Sequence, residues 1–277
     1  MIVQCKGKDL SKISKSKLKD GKYMVSTKRD GNYVQIVKAA NNVKFYTSGD
    51  KEFYLKDLAD ALKKLPGSFI VEGEYINTTE GKLGDRPKAA KLTTYRTNFS
   101  KGIESNLGEE KIILFDMINS ETAIIRDAML VDALYGKVKG LEIATIEYMT
   151  LEEAQTQAKV RAHEGWEGVM CRHIDQMYQP GKRVNELIKI KHRKTADLLC
   201  TGINEGEGKY EGMIGSLSLI NSAGIEVDVG SGLTDQLRSM PWNYFISKII
   251  EIEYEQILST YIQPTFVAVR NDKKESD

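Results

Sequence analysis

Lys28 ends the segment YMVSTK and begins the tetrapeptide KRDG, a setting that suits either a nucleophile or an ordinary charge before a turn. Asp-Gly before alternating apolar residues is a common hairpin signal, and most lysines are solvated. A lysine amine attacks phosphorus only after losing its proton, and its ordinary pKa of about 10.4 opposes that loss at neutral pH. Nearby cations or a metal ion would favour the neutral amine. The tetrapeptide alone leaves both interpretations open.

Three further segments carry acidic or aromatic side chains of interest. VEGEYI places Glu72 and Glu74 two residues apart, so both carboxylates point to the same face of a strand. Phe115 follows a buried strand in ILFDMI, and Glu167 precedes a glycine and a strand in EGWEGVMCR. Each has an ordinary alternative: a solvated turn for the glutamates, and a core position for Phe115.

Basic residues recur in two later segments. LIKIK puts Lys189 and Lys191 on one face of a strand, and VRNDK puts Arg270 and Lys273 near the C-terminus. Separately these could be a solvated strand face and a basic tail. Together with a lysine, carboxylates and an aromatic ring, they are the parts needed to bind a nucleotide and capture its α-phosphate.

The elements that must position these residues are predicted from local patterns. Short β-like runs occupy YMVSTK, YVQIVKA and VKFYTS, and a helix occupies LKDLADALKKL until Pro66-Gly67. SFIVEGEYI, KIILFDMIN, GVMCRHI and LIKIKH are predicted strands, and TLEEAQTQAKVRAHEG is a predicted helix with a Thr cap. Residues 77–110 are predicted to be a helix-containing loop region. The pattern indicates an α+β domain of antiparallel sheets flanked by helices.

The pattern of predicted elements changes near residue 195. The last 80 residues alternate short strands with Gly-containing turns, a pattern typical of a small barrel such as an OB fold. We therefore predict two domains, 1–195 and 196–277, with a hinge at residues 193–197. Residues 198–277 hold six basic and twelve acidic residues, a net −6, so the remainder of this +1 chain carries +7. The basic larger part suggests a polyanionic partner.

Composition excludes several other classes of protein. No apolar run approaches the roughly 20 residues that span a bilayer, and the lysine-rich N-terminus lacks a signal-peptide core. The three cysteines are widely spaced and imply neither a disulfide framework nor a zinc ribbon, and with three scattered histidines they make a transition-metal site improbable. We expect a cytoplasmic protein.

Taken in order, these segments resemble the motif set of covalent nucleotidyltransferases, and specifically that of ATP-dependent DNA ligases. KRDG matches the family pattern K-x-D-G, VEGE resembles its acidic D-G-E strand, and LFD resembles its F-D motif. EGVMCR resembles E-G-V-M-x-K/R, while YQPGKR, LIKIK and VRNDK resemble the Tyr-x-Pro-Gly-Lys-Arg, K-x-K and R-x-D-K segments. The resemblance extends from about residue 20 to residue 273. It implies an adenylation domain followed by an OB-fold β-barrel.

The resemblance also implies three chemical steps. Lys28 attacks ATP to give a lysine-AMP phosphoramidate and pyrophosphate, AMP passes to the 5′-phosphate of a nick, and the 3′-hydroxyl then displaces AMP. Phe115 would stack on adenine, Lys189 and Lys191 would grip the α-phosphate, and the C-terminal cations would orient pyrophosphate. The implied ATP-binding residues are Ser26, Thr27, Lys28, Glu74, Phe115, Lys189, Lys191, Arg270 and Lys273.

Metal and partners follow from the same resemblance. Glu74, which would also contact the ribose, and Glu167 would hold Mg²⁺ or Mn²⁺. Nicked double-stranded DNA would be the partner of a monomeric, minimal ligase of the viral or phage kind. Asp30 would serve the later steps at the nick, and Arg29 or Lys51 would supply charge to the DNA.

Two positions depart from the family pattern. The family usually has an arginine where this chain has Tyr33, and often Ser-Arg where it has Ser48-Gly49. Both arginines normally contact phosphates, so Arg29 and Lys51 are candidates to replace their charge.

Three alternatives remain open at this point. An mRNA capping guanylyltransferase shares K-x-D-G, the OB domain and R-x-D-K but uses GTP. An RNA ligase of the same superfamily generally lacks this barrel. A non-catalytic OB-type module would bind single-stranded nucleic acid, for which the acidic C-terminal part is poorly suited.

Overall fold

The chain divides into two units in a computed structural model that describes residues 2–77, 81–82, 91–191 and 193–277. The units are Met1–Lys191 and His192–Asp277. The boundary predicted after residue 195 lies inside the strand Lys194–Glu205, so the observed division falls slightly earlier in the chain. Residues 78–80 and 83–90 of the predicted loop region lie outside the described residues.

The first unit combines two sheets with four described helices. Its described strands are β1 (Lys6–Asp9), β2 (Tyr23–Lys28), β3 (Asn32–Ala39), β4 (Asn42–Thr47), β5 (Glu52–Phe53), β6 (Phe69–Ile76), β7 (Lys111–Met117), β8 (Leu141–Ile143), β9 (Glu147–Met149), β10 (Gly168–His173) and β11 (Arg183–Lys191). Its described helices are α1 (Lys56–Lys63), α2 (Lys91–Ser100), α3 (Ala123–Leu134) and α4 (Leu151–His163). The strands that carry the candidate residues therefore form where the sequence patterns place them.

The two sheets differ in the number and order of their strands. One has five strands in the order β1-β11-β10-β2-β9, and the other has six in the order β5-β4-β3-β6-β7-β8. The outer pairs β1–β11 and β7–β8 are parallel, whereas the prediction was of antiparallel sheets. Strands β1 and β11 stand at opposite ends of the unit, and β7 and β8 are joined through helix α3, so the local strand patterns carry no sign of either parallel pairing. The sheets are therefore mixed.

Helices cover the outer faces of the two sheets. Helices α1, α2 and α3 contact the six-stranded sheet, and α4 contacts β10 and β11 of the other. Helix α4 begins with a capping box in which Thr150 accepts the N–H of Glu153 at 3.3 Å and donates its own N–H to the Glu153 carboxylate at 2.7 Å. Phe45, Phe53 and Leu58 lie in a fully buried core, where each such side chain contributes about 2 kcal/mol by burial.

The second unit is mainly β structure. Its described strands are β12 (Lys194–Glu205), β13 (Ile214–Ile220), β14 (Glu226–Val229), β15 (Ile249–Tyr254), β16 (Gln256–Ile257), β17 (Tyr261–Ile262) and β18 (Thr265–Val269), with the short helix α5 (Asp235–Arg238). Five of them form an antiparallel sheet in the order β14-β13-β12-β15-β18, and β16 pairs with β17. Leu198, Leu217 and Phe245 are fully buried in its core.

The two edges of this sheet approach each other without pairing as strands. Just beyond β14, the carbonyl of Ser231 accepts a 2.8 Å hydrogen bond from the N–H of Phe266 in β18. No strand ladder joins β14 to β18 among the described residues, so the strands of this part of the chain do not close into a barrel. The unit is an OB-like open sheet. None of the helices that the described residues form is long and apolar enough to cross a membrane.

Candidate active site

A cavity of about 260 Å³ opens in the first unit between its two sheets. Residues of β1, β2, β10 and β11 line one side, and residues of β6 and β7 line the other. The cavity approaches the size of typical small-ligand pockets, which begin near 300 Å³. The predicted site residues that line it are Ser26, Thr27, Lys28, Arg29, Glu74, Phe115 and Lys189.

Lys28 lies at the edge of this cavity, at the last position of β2. Its Nζ atom contacts Oε2 of Glu167, and Nζ of Lys191 lies 2.6 Å from Oε1 of the same carboxylate. Glu167 is only 5% exposed, so this bridge between two lysines is shielded from water. Burial works to raise the pKa of Glu167, but the charges of Lys28 and Lys191 outweigh it and hold the pKa below its ordinary value.

Backbone geometry explains how Glu167 reaches both lysines. The next residue, Gly168, pairs with Lys28 on β2 and with Lys191 on β11, so it lies between them in the sheet. Gly168 has a φ of +141°, and a Cβ atom there would collide with the carbonyl oxygen of Ile190. Only glycine fits this position without strain. The Glu-Gly step of EGVMCR therefore places a carboxylate between two lysines.

Lys189 belongs to the cavity wall. Its Nζ atom lies 3.5 Å from Oδ1 of Asp9 on the neighbouring strand β1. Burial lowers the pKa of Lys189, although the Asp9 charge opposes this effect. Lys189 thus contributes a half-buried cation within the cavity, whereas Lys191 is engaged with Glu167.

The two glutamates of VEGE both line the cavity but differ in environment. Glu72 is 1% exposed, and its Oε1 atom accepts hydrogen bonds from the hydroxyls of Tyr33 at 2.5 Å and Tyr178 at 2.7 Å. Burial, reinforced by the charge of Asp116, raises the pKa of Glu72 to about 7. Glu74 is half-buried. The pair therefore comprises a structural acid deep in the wall and a more accessible one.

Phe115 is half-buried in the cavity wall, whereas its neighbours Leu114 and Asp116 are buried. The Asp116 carboxylate binds the buried Arg126, with Nε at 2.8 Å, and Nη1 of Arg172 at 3.2 Å. Arg172 also donates a 3.1 Å hydrogen bond to the Phe115 carbonyl. This buried ion network fixes the backbone that carries the aromatic ring.

The remaining predicted residues of the first unit occupy different positions. The guanidinium of Arg29 lies 5.1 Å from the ring centre of Trp166, whose ring also lies 5.3 Å from Nζ of Lys82. Asp30 donates its backbone N–H to the carbonyl of Gly81 at 2.8 Å and does not line the cavity. Lys51 is exposed on the turn between β4 and β5, also outside the cavity lining.

Arg270 and Lys273 lie in the second unit and engage carboxylates of that unit. Nη1 of Arg270 lies 3.2 Å from Oδ2 of Asp197, and Nζ of Lys273 contacts the same oxygen. Asp272 binds the rest of the Arg270 guanidinium, with distances of 2.9 Å and 2.7 Å. The R-x-D-K segment is therefore an ion-pair cluster within the OB-like unit.

Sequence reasoning missed several residues that support the site. Tyr178 and Arg172 stand inside the quoted segments YQPGKR and EGVMCR, but their contacts depend on distant partners. One sequence feature could have identified Arg126, because it is the only basic residue of the largely apolar helix AIIRDAMLVDAL. A lone basic residue in a largely apolar helix is a candidate for a buried ion pair. Asp197 had no comparable signal.

Comparison with known proteins decides the family. The family model described as ATP dependent DNA ligase domain matches residues 4–191, which is more than half of the chain. The chain belongs to the ATP-dependent DNA ligase family. A second model, described as DNA ligase OB-like domain, matches residues 205–270 of the second unit.

Curated relatives of this ligase-family chain are longer proteins. The DNA ligase of Methanosphaera stadtmanae is 28% identical, with 86% of this chain and 49% of that protein covered. The DNA ligase of Methanothrix thermoacetophila is 26% identical, with 94% of this chain and 54% of that protein covered. The chain thus spans about half the length of the curated relatives it matches.

Solved structures share the fold at low sequence identity. One, described as a structure-function analysis of Lig E DNA ligases that bind DNA with a minimal scaffold, has a TM-score of 0.74 and 18% identity, covering 98% of this chain and all of the other. The ligase domain of LigD from M. tuberculosis has a TM-score of 0.53 and 17% identity, covering 99% of this chain and 96% of that one. These likenesses show a shared two-domain fold over nearly the whole chain.

Proposed function

We propose that this chain is an ATP-dependent DNA ligase that seals nicks in duplex DNA through a lysine-AMP intermediate. The observation that carries the proposal is the position of Lys28. Lys28 lines the cavity between the two sheets, its amine contacts Glu167, and Lys189 lines the same cavity. Family membership supplies the class of reaction, and this arrangement supplies the residues.

In the first step, Nζ of Lys28 attacks the α-phosphorus of ATP. A nitrogen–phosphorus bond forms, the bond from phosphorus to the pyrophosphate oxygen breaks, and one amine proton passes to solvent. Because the pKa of Glu167 is held low, this carboxylate is a weak base, and we assign it to orienting the amine. Lys189 and Lys191 neutralise charge that develops on the phosphate.

The base of ATP would lie against Phe115. The half-buried Phe115 lines the cavity, and Ser26 and Thr27 of β2 line the same space. Stacking on an aromatic face accepts either purine, so discrimination between ATP and GTP rests on polar groups around the base. Ser26 and Thr27 are the residues we propose beside it.

Magnesium fits the carboxylates of this site. Mg²⁺ takes oxygen ligands and keeps several waters, so it needs only one or two side chains. Glu74 and Glu167 would hold the ion, and Glu167 would then share its oxygens with the two lysines. When bound, the ion supplies positive charge near the α-phosphate.

The later steps act on DNA. AMP would pass from Lys28 to the 5′-phosphate of the nick, and the 3′-hydroxyl would then attack that phosphate and release AMP. Asp30, beside the nucleophile, is proposed to serve these steps, while Arg29 and Lys51 are proposed to contact DNA. A monomer acting on nicked duplex remains the expectation.

Covalent labelling tests the proposal. We expect radiolabelled ATP with Mg²⁺, and not GTP, to leave label on the denatured protein, and we expect Lys28→Ala to abolish it. Lys44→Ala is the matched control, because Lys44 is ion-paired to Glu52 on β4 and β5, away from the cavity lining. Label that appears only with GTP, or that survives Lys28→Ala, contradicts the proposal.

A further inference from the structure

One buried carboxylate holds both cations of the R-x-D-K segment. Asp197 is 4% exposed in β12, and its Oδ2 atom binds Arg270 at 3.2 Å and contacts Nζ of Lys273. The two cations come from a segment more than 70 residues further along the chain. A buried, doubly paired carboxylate is a stable anchor, because removing its partners would leave an uncompensated charge.

The Arg270 guanidinium is occupied on every side by carboxylates. Its Nη1 faces Asp197, its Nε and Nη2 donate to Asp272 at 2.9 Å and 2.7 Å, and Glu251 lies 3.7 Å from Nη1. An arginine binds phosphate through the same planar fork of donors. In this arrangement carboxylates therefore occupy the donors of Arg270, and a phosphate must compete with these carboxylates to bind them.

The end of the chain closes the cluster. The backbone N–H of Asp277 donates to the Asp197 carbonyl at 2.8 Å, and the Asp277 carboxylate accepts the Asp197 N–H at 2.8 Å. That carboxylate also lies 3.5 Å from Nζ of Lys273. Asp277 thus pairs with β12 at the residue that holds the cations.

The charge balance of this cluster is unfavourable to polyphosphate. Arg270 and Lys273 are surrounded by the side chains of Asp197, Glu251, Asp272 and Asp277, so acidic groups outnumber basic ones. A pyrophosphate or triphosphate group approaching it meets net negative charge. Movement of the cations away from Asp197 would remove the part of this repulsion that the Asp197 carboxylate contributes.

We propose that Asp197 is a latch that stores Arg270 and Lys273 in an arrangement unavailable to nucleotide phosphates. Its release makes the two cations available for lysine adenylation. Asp197 is therefore a positioning residue that acts through the cations, and not a residue that touches ATP. The role in adenylation rests on the proposed function, whereas the latch itself does not.

The latch is tested first without any reaction. In the full chain, Asp197→Asn removes the charge and keeps the shape, and we expect inorganic pyrophosphate to bind about threefold to tenfold more tightly by calorimetry. We also expect acetylation of Lys273, relative to its exposed neighbour Lys274, to rise by about the same factor. Asp197→Glu should restore the wild-type values. Asp228→Asn, which removes a charge from the same unit without contacting either cation, should change neither.

Adenylation kinetics give the second test. If the latch restrains the first step, Asp197→Asn should lower the ATP concentration that half-saturates single-turnover labelling by about threefold to tenfold. If Asp197 has only a structural role, Asp197→Asn should lower both labelling and the melting temperature, and it should leave pyrophosphate affinity unchanged or weaker. That result would overturn the proposal. Wild-type protein that never labels would contradict the proposed function, while the pyrophosphate and acetylation results would still decide the latch.

Discussion

The hydroxyl of Tyr33 donates a 2.5 Å hydrogen bond to Oε1 of Glu72, a residue that lines the cavity between the two sheets. The ligase family usually has an arginine at the position of Tyr33, and a tyrosine brings no charge. Together with Tyr178, Tyr33 gives the buried Glu72 carboxylate two neutral donors. This chain therefore uses the position to satisfy a buried acid, and under the proposed function other cations would bind the 5′-phosphate.

Stability should depend on pH through Glu72. Burial raises its pKa from 4.5 to about 7, so the folded state binds this proton more tightly than the unfolded state does. The Glu72 carboxyl therefore stabilises the folded state least when it is ionised. Its contribution to the unfolding free energy falls as pH rises from about 4.5 to about 7. The fall should approach about 3 kcal/mol, since one pKa unit corresponds to about 1.36 kcal/mol.

Urea unfolding of Glu72→Gln and wild type in metal-free buffer measures this effect. The stability of Glu72→Gln relative to wild type should increase with pH across that range. Glu52→Gln is the control, because Glu52 is a half-buried, ion-paired carboxylate on β5 of the same sheet. Parallel curves for Glu72→Gln and wild type would mean that Glu72 does not titrate there.

Glu167→Gln should impair lysine adenylation by at least about a hundredfold, because it removes the charge that holds Lys28 and Lys191. Glu110→Gln is a matched control, since Glu110 is also buried and contacts one lysine, Lys91, away from the cavity lining. Single-turnover labelling and melting temperature are measured for both variants. Equal loss of labelling in the two would mean that Glu167 matters only for folding.

Phe115→Ala should weaken ATP binding by about 1–3 kcal/mol, the usual value for a base stacked on an aromatic ring. Because the ring is half-buried in the cavity wall, the loss of thermal stability should be modest. Phe53→Ala, in the fully buried core of the same unit, should leave ATP affinity nearly unchanged. It should cost about 3–5 kcal/mol of stability. Calorimetric ATP titration and thermal melts of both variants separate the two roles. An unchanged ATP affinity in Phe115→Ala would assign the ring to the core.

Local sequence patterns predicted the strands of the site and helix α4 well. YMVSTK became β2, and the Thr150 cap with Glu153 three residues later became a capping box. The position of Glu167 before Gly168 could be found from sequence, because the motif specifies both residues. These features depend on neighbours within a few positions along the chain.

The features that were not predicted depend on contacts between distant residues, which local sequence patterns do not encode. Helix α3 was not predicted, and its Arg126 is buried against Asp116 while apolar residues such as Ile125 are exposed. The parallel pair β1–β11 joins strands at opposite ends of the unit. The same applies to Asp197, whose partners are 73 and 76 residues away. Long-range ion pairs follow from the fold, so they become visible only after it is known.

The last prediction separates the chemical steps. If Arg270 and Lys273 orient pyrophosphate, changing both to alanine should abolish labelling of Lys28 by ATP. Sealing of a nick that already carries 5′-AMP involves no pyrophosphate, so it should persist within about threefold of wild type. Lys28→Ala should show the same separation, because the nucleophile has acted before that step. Asp30→Ala should instead slow sealing of the pre-adenylated nick more than labelling.

Loss of both cations leaves Asp197 as an unpaired buried carboxylate, which alone could unfold the second unit. The double alanine variant is therefore compared with a triple variant that also carries Asp197→Asn and so has no unpaired charge at this position. Both should lack labelling, and the triple variant should recover the melting temperature while still closing pre-adenylated nicks. Equal loss of labelling and nick closure in the stable triple variant would show that these cations act on DNA, because pyrophosphate takes no part in closing that nick.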